Sequence, residues 1–203
     1  INLGIGQPDF PTPSNIQEAA IKAIRDGHHG YTPSNGILPL REAVSEQIYE
    51  DYNVDVNPDQ ILITPGGKPT IFYSCLILGG KDNEIIYPDP GFPIYRSMIN
   101  FSGAKGVPLE LTEEDNFEIN IDKLEKLITN KTSLVIINNP NNPTGSYMGR
   151  KKIDKIVTIL EKYPDLFILS DEIYSKIIFD NERMPSLLNY TSLQERLIVL
   201  DGW

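Results

Sequence analysis

The 203 residues include one cysteine, two histidines, one tryptophan and three methionines. A single thiol excludes an internal disulfide framework and a cysteine-built metal cluster. Cys75 stands among Tyr73, Leu76 and Ile77, which makes it a core thiol rather than a nucleophile. His28 and His29 precede Gly30 in what reads as a helix-ending loop and lack metal-ligand spacing, so no metal site is expected. Basic residues are also scarce: 18 Lys and Arg stand against 28 Asp and Glu, a formal charge of -10 with no Lys/Arg stripe. That argues against a nucleic-acid footprint. No apolar run approaches the ~20 residues of a membrane helix, and no secretory leader precedes Ile1. Together these absences set the expectation of a soluble, cytoplasmic protein.

At 40% hydrophobic and 23% charged, the chain can bury one sizeable core, or one domain plus part of another. Its organising stretch is Asn139-Pro140-Asn141-Asn142-Pro143-Thr144-Gly145. The apolar run Leu134–Ile137 leads into it and reads as a buried strand. Each Pro fixes its own φ and pushes the preceding residue out of the helical region. A stiff, extended loop carrying Asn amides is expected at the strand end, which is where open α/β sheets bind ligands. A plain strand-to-helix connection is the alternative. One helix and one strand later, Phe167–Ser170 delivers Asp171-Glu172-Ile173-Tyr174. The helix between shows Ile153, Ile156, Val157, Leu160 and Tyr163 at helical spacing. Leu197–Leu200 is a further strand ending at Asp201. Consecutive βα units place their strand ends on one edge, so Asn142 and Asp171 should converge.

Upstream, residues 1–13 form an extended arm rich in Gly and Pro. Ser14 is the expected N-cap of a helix with Ile16, Ala19, Ala20, Ala23 and Ile24 on one face. Leu38 to Tyr52 is the next helix, with Leu40, Val44, Ile48 and Tyr52 inward. Ile61–Ile63 reads as a short buried strand, and Thr64-Pro65-Gly66-Gly67-Lys68 opens a helix to about Leu78. Two glycines before a helix N-terminus let amides approach an anion, although such a pair is more often just a turn. Glu84–Tyr87 is a strand feeding Pro88-Asp89-Pro90-Gly91-Phe92, where Phe92 reads equally as a stacking surface or a core residue. A strand at Gly106–Leu109, an exposed acidic loop at Leu111–Asn120 and a helix at Ile121–Ile128 follow. Ile177–Phe179 reads as another strand.

One edge thus offers an anion nest (Gly66, Gly67, Lys68), a flat aromatic (Phe92), an amide (Asn142), a carboxylate (Asp171) and a phenol (Tyr174). The pattern resembles the fold-type I, pyridoxal-phosphate-dependent aminotransferases of classes I and II. The resemblance runs from Gly4-Ile5-Gly6-Gln7-Pro8-Asp9-Phe10 through Tyr31–Gly36, Leu40-Arg41-Glu42-Ala43 and Gly66-Gly67-Lys68. It continues through Pro88–Phe92, Asn141–Gly145 and Asp171–Tyr174. It implies an α/β fold: a mostly parallel sheet with helices on both faces, residues 31–203 forming an incomplete cofactor domain. Residues 1–30 would be the N-terminal arm and helix of a small domain. It implies pyridoxal 5'-phosphate held by amides around Gly66, Gly67 and Lys68 and stacked on Phe92. Asn142 and Tyr174 would bond the ring's phenolic oxygen, and Asp171 would pair with the ring nitrogen. Tyr31 would reach the cofactor phosphate of the second subunit of a homodimer, and Gly6 would lie against the substrate.

The same resemblance places the Schiff-base lysine about two residues past Trp203. The chain is therefore expected to be part of a longer protein and inactive as it stands, with neither Lys68 nor Lys176 as a replacement. The implied activity of that protein is transfer of an amino group between an amino acid and a 2-oxo acid. Other chemistry on the same cofactor, such as β-lyase or decarboxylase activity, is one alternative. The ligand-sensing domain of a transcription regulator is another, and a doubly wound domain for some other phosphorylated ligand is a third.

Overall fold

The structure is a computed structural model, and it describes residues 4, 6–179 and 183–202. Five parallel strands form one sheet in the order β2-β1-β3-β4-β5: β1 is Glu84–Asp89, β2 Lys105–Glu110, β3 Thr132–Asn138, β4 Phe167–Asp171 and β5 Leu197–Leu200. Parallel neighbours need crossovers, and the helices supply them. In chain order the helices are α1 (Ser14–Arg25), α2 (Leu38–Tyr52), α3 (Lys68–Leu78), α4 (Pro93–Ser102), α5 (Ile121–Leu127) and α6 (Arg150–Leu160).

The alternation of side chains along each strand divides the core in two. Leu134 and Ile136 of β3 face one way, with Ile85, Leu169, and Ile71 and Cys75 of α3 and Tyr95 and Ile99 of α4. Val135 and Ile137 face the other, with Ile86, Ile168, Leu124 of α5 and Ile153, Ile156 and Leu160 of α6. Both faces are covered, which is why the central strands read as unbroken apolar runs. Cys75 is fully buried, and burial pushes its thiol up to about 11, in keeping with a core role. No helix is long and apolar enough to cross a membrane among the described residues, and no group of His, Cys, Asp or Glu there could hold a metal.

Several local expectations are corrected. Pro13, not Ser14, is the N-cap of α1, and no side-chain cap bond is made there. In α2 the buried positions are Arg41 and Val44 while Leu40 is exposed. Arg41 turns inward because carbonyls await it: it donates to Gly36 O, Pro58 O and Asp59 Oδ1, tying the loop before α2 to the segment after it. Ile61–Ile63 is not in a strand; its backbone meets the rest of the chain through Ile63 N–H to Asn35 O. Ile177–Phe179 is not in a strand: residues 177 and 178 follow the turn without regular structure, Phe179 sits in a bend, and Ile177 and Phe179 are exposed. A β-rich run of three residues needs a ladder partner, and neither segment has one here. The acidic loop is anchored rather than free: Leu111 and Ile119 are buried in the α5/α6 core.

Candidate active site

The register of the sheet sets the site. Asn138 of β3 lies opposite Asp171 of β4, and Asp171 lies opposite Leu200 of β5. Their carboxyl ends form the floor of a cavity of about 210 Å³. Gly67 and Lys68 at the start of α3, Phe92 before α4, Asn142 after β3, and Asp171 and Tyr174 at and after β4 all line it. Six of the residues singled out from sequence are thus brought together. Gly66 adjoins them, whereas Gly6 and Tyr31 are exposed and outside the cavity.

Asn138 joins the two strand ends. Its side-chain N–H donates to Asp171 O at 3.0 Å, and its Oδ1 accepts from Asn142 N at 2.8 Å. The following loop is folded back rather than extended. Gly145 N–H donates to Asn141 O, Asn141 N–H to Ser146 O, and buried Asn139 bonds Met148 O and N through its amide. The turn closes because Gly145 takes a φ of 71°, a conformation that glycine adopts without a Cβ penalty. Asn142 thereby points its amide across to Tyr174, with Nδ2 3.4 Å from the phenol oxygen. Two donors so placed can converge on one ligand oxygen.

At the anion nest the two glycines differ. Gly66 has φ +80° and its N–H already donates to Thr64 O, so it shapes the turn but is not a free donor. Gly67 packs on β5: a Cβ there would lie 3.1 Å from Leu200 Cδ2. Pro69 stands in the first turn and lacks an N–H. The amides of Gly67, Lys68 and Thr70 are the donors left at the positive end of α3.

Asp171 is 4% exposed. Burial pushes its carboxyl above the ordinary carboxylate range, while bonds from Tyr95 and the Ile173 amide pull it back. No Lys or Arg pairs with it among the described residues. A buried carboxylate with no Lys or Arg paired to it is costly unless a bound ligand brings a cationic N–H. Phe92 lines the cavity and meets Tyr95 in a T-shaped pair, with ring centroids 5.9 Å apart at 87°. Amides for an anion, an aromatic face, paired donors and a buried carboxylate fit a flat, phosphorylated, nitrogen-containing ring. Composition and spacing did not point to Tyr95 or Asn138. Only the tertiary contacts reveal them. Lys176 lies in the turn after β4 and pairs with Asp51 at 2.8 Å, away from the cavity.

An open parallel sheet with a cavity at its strand carboxyl ends belongs to the doubly wound class of α/β domain, which takes ligands at that edge. The family profile of aminotransferase class I and II matches residues 1–201. A probable aspartate aminotransferase of Methanocaldococcus jannaschii is 40% identical over all of this chain and 52% of its own length. An aromatic-amino-acid aminotransferase of Thermococcus litoralis is 38% identical, again over the whole chain and 52% of its own. In structure, an aromatic aminotransferase of Pyrococcus horikoshii aligns with a TM-score of 0.93 at 34% identity, covering 98% of this chain and 53% of that one. The chain belongs to the class I and II aminotransferase family. It spans about half the length of the curated relatives it matches.

Proposed function

We propose that the protein carrying this chain transfers an amino group between an amino acid and a 2-oxo acid with pyridoxal 5'-phosphate, in the cytoplasm. The observation that carries this reading is the buried carboxylate of Asp171, paired with no Lys or Arg among the described residues, facing the same cavity as Phe92, Asn142 and Tyr174. The amides of Gly67, Lys68 and Thr70 would hold the phosphate at the dipole-positive end of α3. When bound, the cofactor supplies an electron sink for charge developing at the substrate α-carbon. Asp171 would hold a proton on the ring nitrogen, because a carboxylate beside it favours the protonated form. Asn142 and Tyr174 would orient the ring through its phenolic oxygen, and Phe92 would cover one face and exclude water. The resemblance assigns the lysine that moves the substrate proton to chain beyond Trp203. The relatives named for aspartate and for aromatic amino acids suggest a dicarboxylic or aromatic substrate.

A homodimer belongs to the same reading. Tyr31 is fully exposed, so it could act at a cofactor only across an interface. Tyr73, Leu76 and Ile77 on α3 and Phe101 on α4 present an exposed apolar face, of the kind that marks association surfaces.

The test is titration of the full-length protein with the cofactor, followed by its visible absorbance, together with transamination by wild type and Asp171→Asn. Asp171→Asn should lower turnover by on the order of 10²-fold or more, with a much smaller change in cofactor affinity. Near-normal turnover would place the wrong carboxylate under the ring.

A further inference from the structure

Tyr95 has no part in the residue roles drawn above, yet it makes the shortest contact in the site. It is fully buried on α4, lines the cavity, and its phenol donates to Asp171 Oδ2 at 2.5 Å. The only other hydrogen bond to this carboxylate among the described residues comes from Ile173 N–H to Oδ1, at 3.3 Å. Ile71, Ile173 and Leu200 surround it with apolar surface. The ionisable groups that face it are Tyr95 from α4, Tyr174 from the turn after β4, Asp201 from the end of β5, and Lys68 at the start of α3. Of these, Tyr95 alone bonds the carboxylate.

This geometry has two consequences. A carboxylate gripped by one oxygen cannot rotate freely, so its other oxygen meets the cavity in a single orientation. A donor on the ionised form also favours that form. Tyr95 acts here against the burial that would otherwise protonate Asp171 and against the repulsion from Asp201. The phenol stays a donor, since burial and the adjacent carboxylate push its own ionisation far upward.

We propose that Tyr95 is a positioning residue of this site, clamping one oxygen of Asp171 so that the carboxylate meets a ring nitrogen as an acceptor in one orientation. The proposal rests on the reading of Asp171 as the partner of the cofactor nitrogen. Its first test needs no cofactor. In the full-length apoprotein, the Asp171 carboxyl is followed by carbon-13 NMR against pH and assigned by its loss in Asp171→Asn. Tyr95→Phe should raise the titration midpoint by about one pH unit or more, and replacing Tyr95 with 3,5-difluorotyrosine, a stronger donor, should lower it. A space-filling role alone moves neither midpoint, and unchanged midpoints overturn the proposal. If Tyr95→Phe does not fold, the fluorinated protein decides. The second test follows nitrogen-15 in labelled pyridoxal phosphate bound to the protein. The ring nitrogen should lose its proton at lower pH in Tyr95→Phe than in wild type, and a matching titration in the two overturns the proposal. A nitrogen signal indifferent to Asp171→Asn would instead sink the reading of Asp171, while the carboxyl titration still decides whether Tyr95 clamps it.

Discussion

At the scale of single residues, neighbouring carboxylates at the end of β4 have divided roles. Asp171 faces the cavity. Glu172 is buried behind it, its Oε1 accepting from Ser170 Oγ at 2.7 Å and from Leu187 N at 3.2 Å, which fastens the chain after the turn onto the sheet. Burial raises the Glu172 carboxyl from 4.5 to about 7, with Asp201 adding repulsion. A raised folded-state value means that the protonated form is favoured by folding. The associated stability is fully present below about 4.5 and is lost as pH climbs through about 7. Glu172→Gln keeps an acceptor oxygen but cannot ionise. Denaturant midpoints measured from pH 4.5 to 8 should therefore fall less steeply in the variant, by on the order of 3 kcal/mol across the window. Parallel profiles would show that Glu172 does not titrate there. Tyr174→Phe tests the pairing with Asn142: loss of one donor to a shared oxygen should weaken cofactor binding by about 1 kcal/mol, read as a spectral titration of the full-length protein.

At the scale of elements, the loops at the strand ends are held by buried amides and glycine conformations rather than by apolar packing. Gly66 at φ +80° is the clearest case. Gly66→Ala would strain the backbone by roughly 1–2 kcal/mol and tilt the amides of Gly67 and Lys68. Phosphate, measured as a competitor of cofactor binding, should bind more weakly, while Asp171 chemistry is untouched. Equal phosphate competition would remove the nest from the site. The helices obey a different rule. Ile156 of α6 is fully buried in the core shared with Val135, Ile137 and Ile168, and Ile156→Ala should cost about 2–5 kcal/mol in equilibrium unfolding with little effect on phosphate binding. A loss of under 1 kcal/mol would mean that the α5/α6 side of the core relaxes around the cavity.

At the scale of the molecule, an exposed Tyr31 and the apolar face of α3 and α4 tie the proposed dimer to the proposed site. Ile77→Lys at that face should shift the full-length protein toward monomer in light scattering, because burying an unpaired ammonium is unfavourable. Activity should fall with it if Tyr31 serves the neighbouring site. A monomer with full activity would detach the dimer from the mechanism.

Most elements and the parallel sheet were legible in the sequence, because apolar runs bounded by turn residues mark buried strands and helical spacing marks the helices between them; the two covered faces came from the family resemblance. Phe92, Asn142, Asp171 and Tyr174 were legible as well, since parallel strands bring their carboxyl ends to one edge. Two apolar triplets misread as strands show the limit: Ile61–Ile63 and Ile177–Phe179 have the right composition, but a strand exists only where a neighbour accepts its hydrogen bonds. Arg41, Asn138 and Tyr95 show it again. Each is polar and buried because carbonyls, amides or a carboxylate from distant parts of the chain await it. What the sequence determined by itself is which strand residues must leave water; which helix faces and which polar groups go with them was decided by the tertiary structure, because a buried donor is stable only where folding has already placed its acceptor.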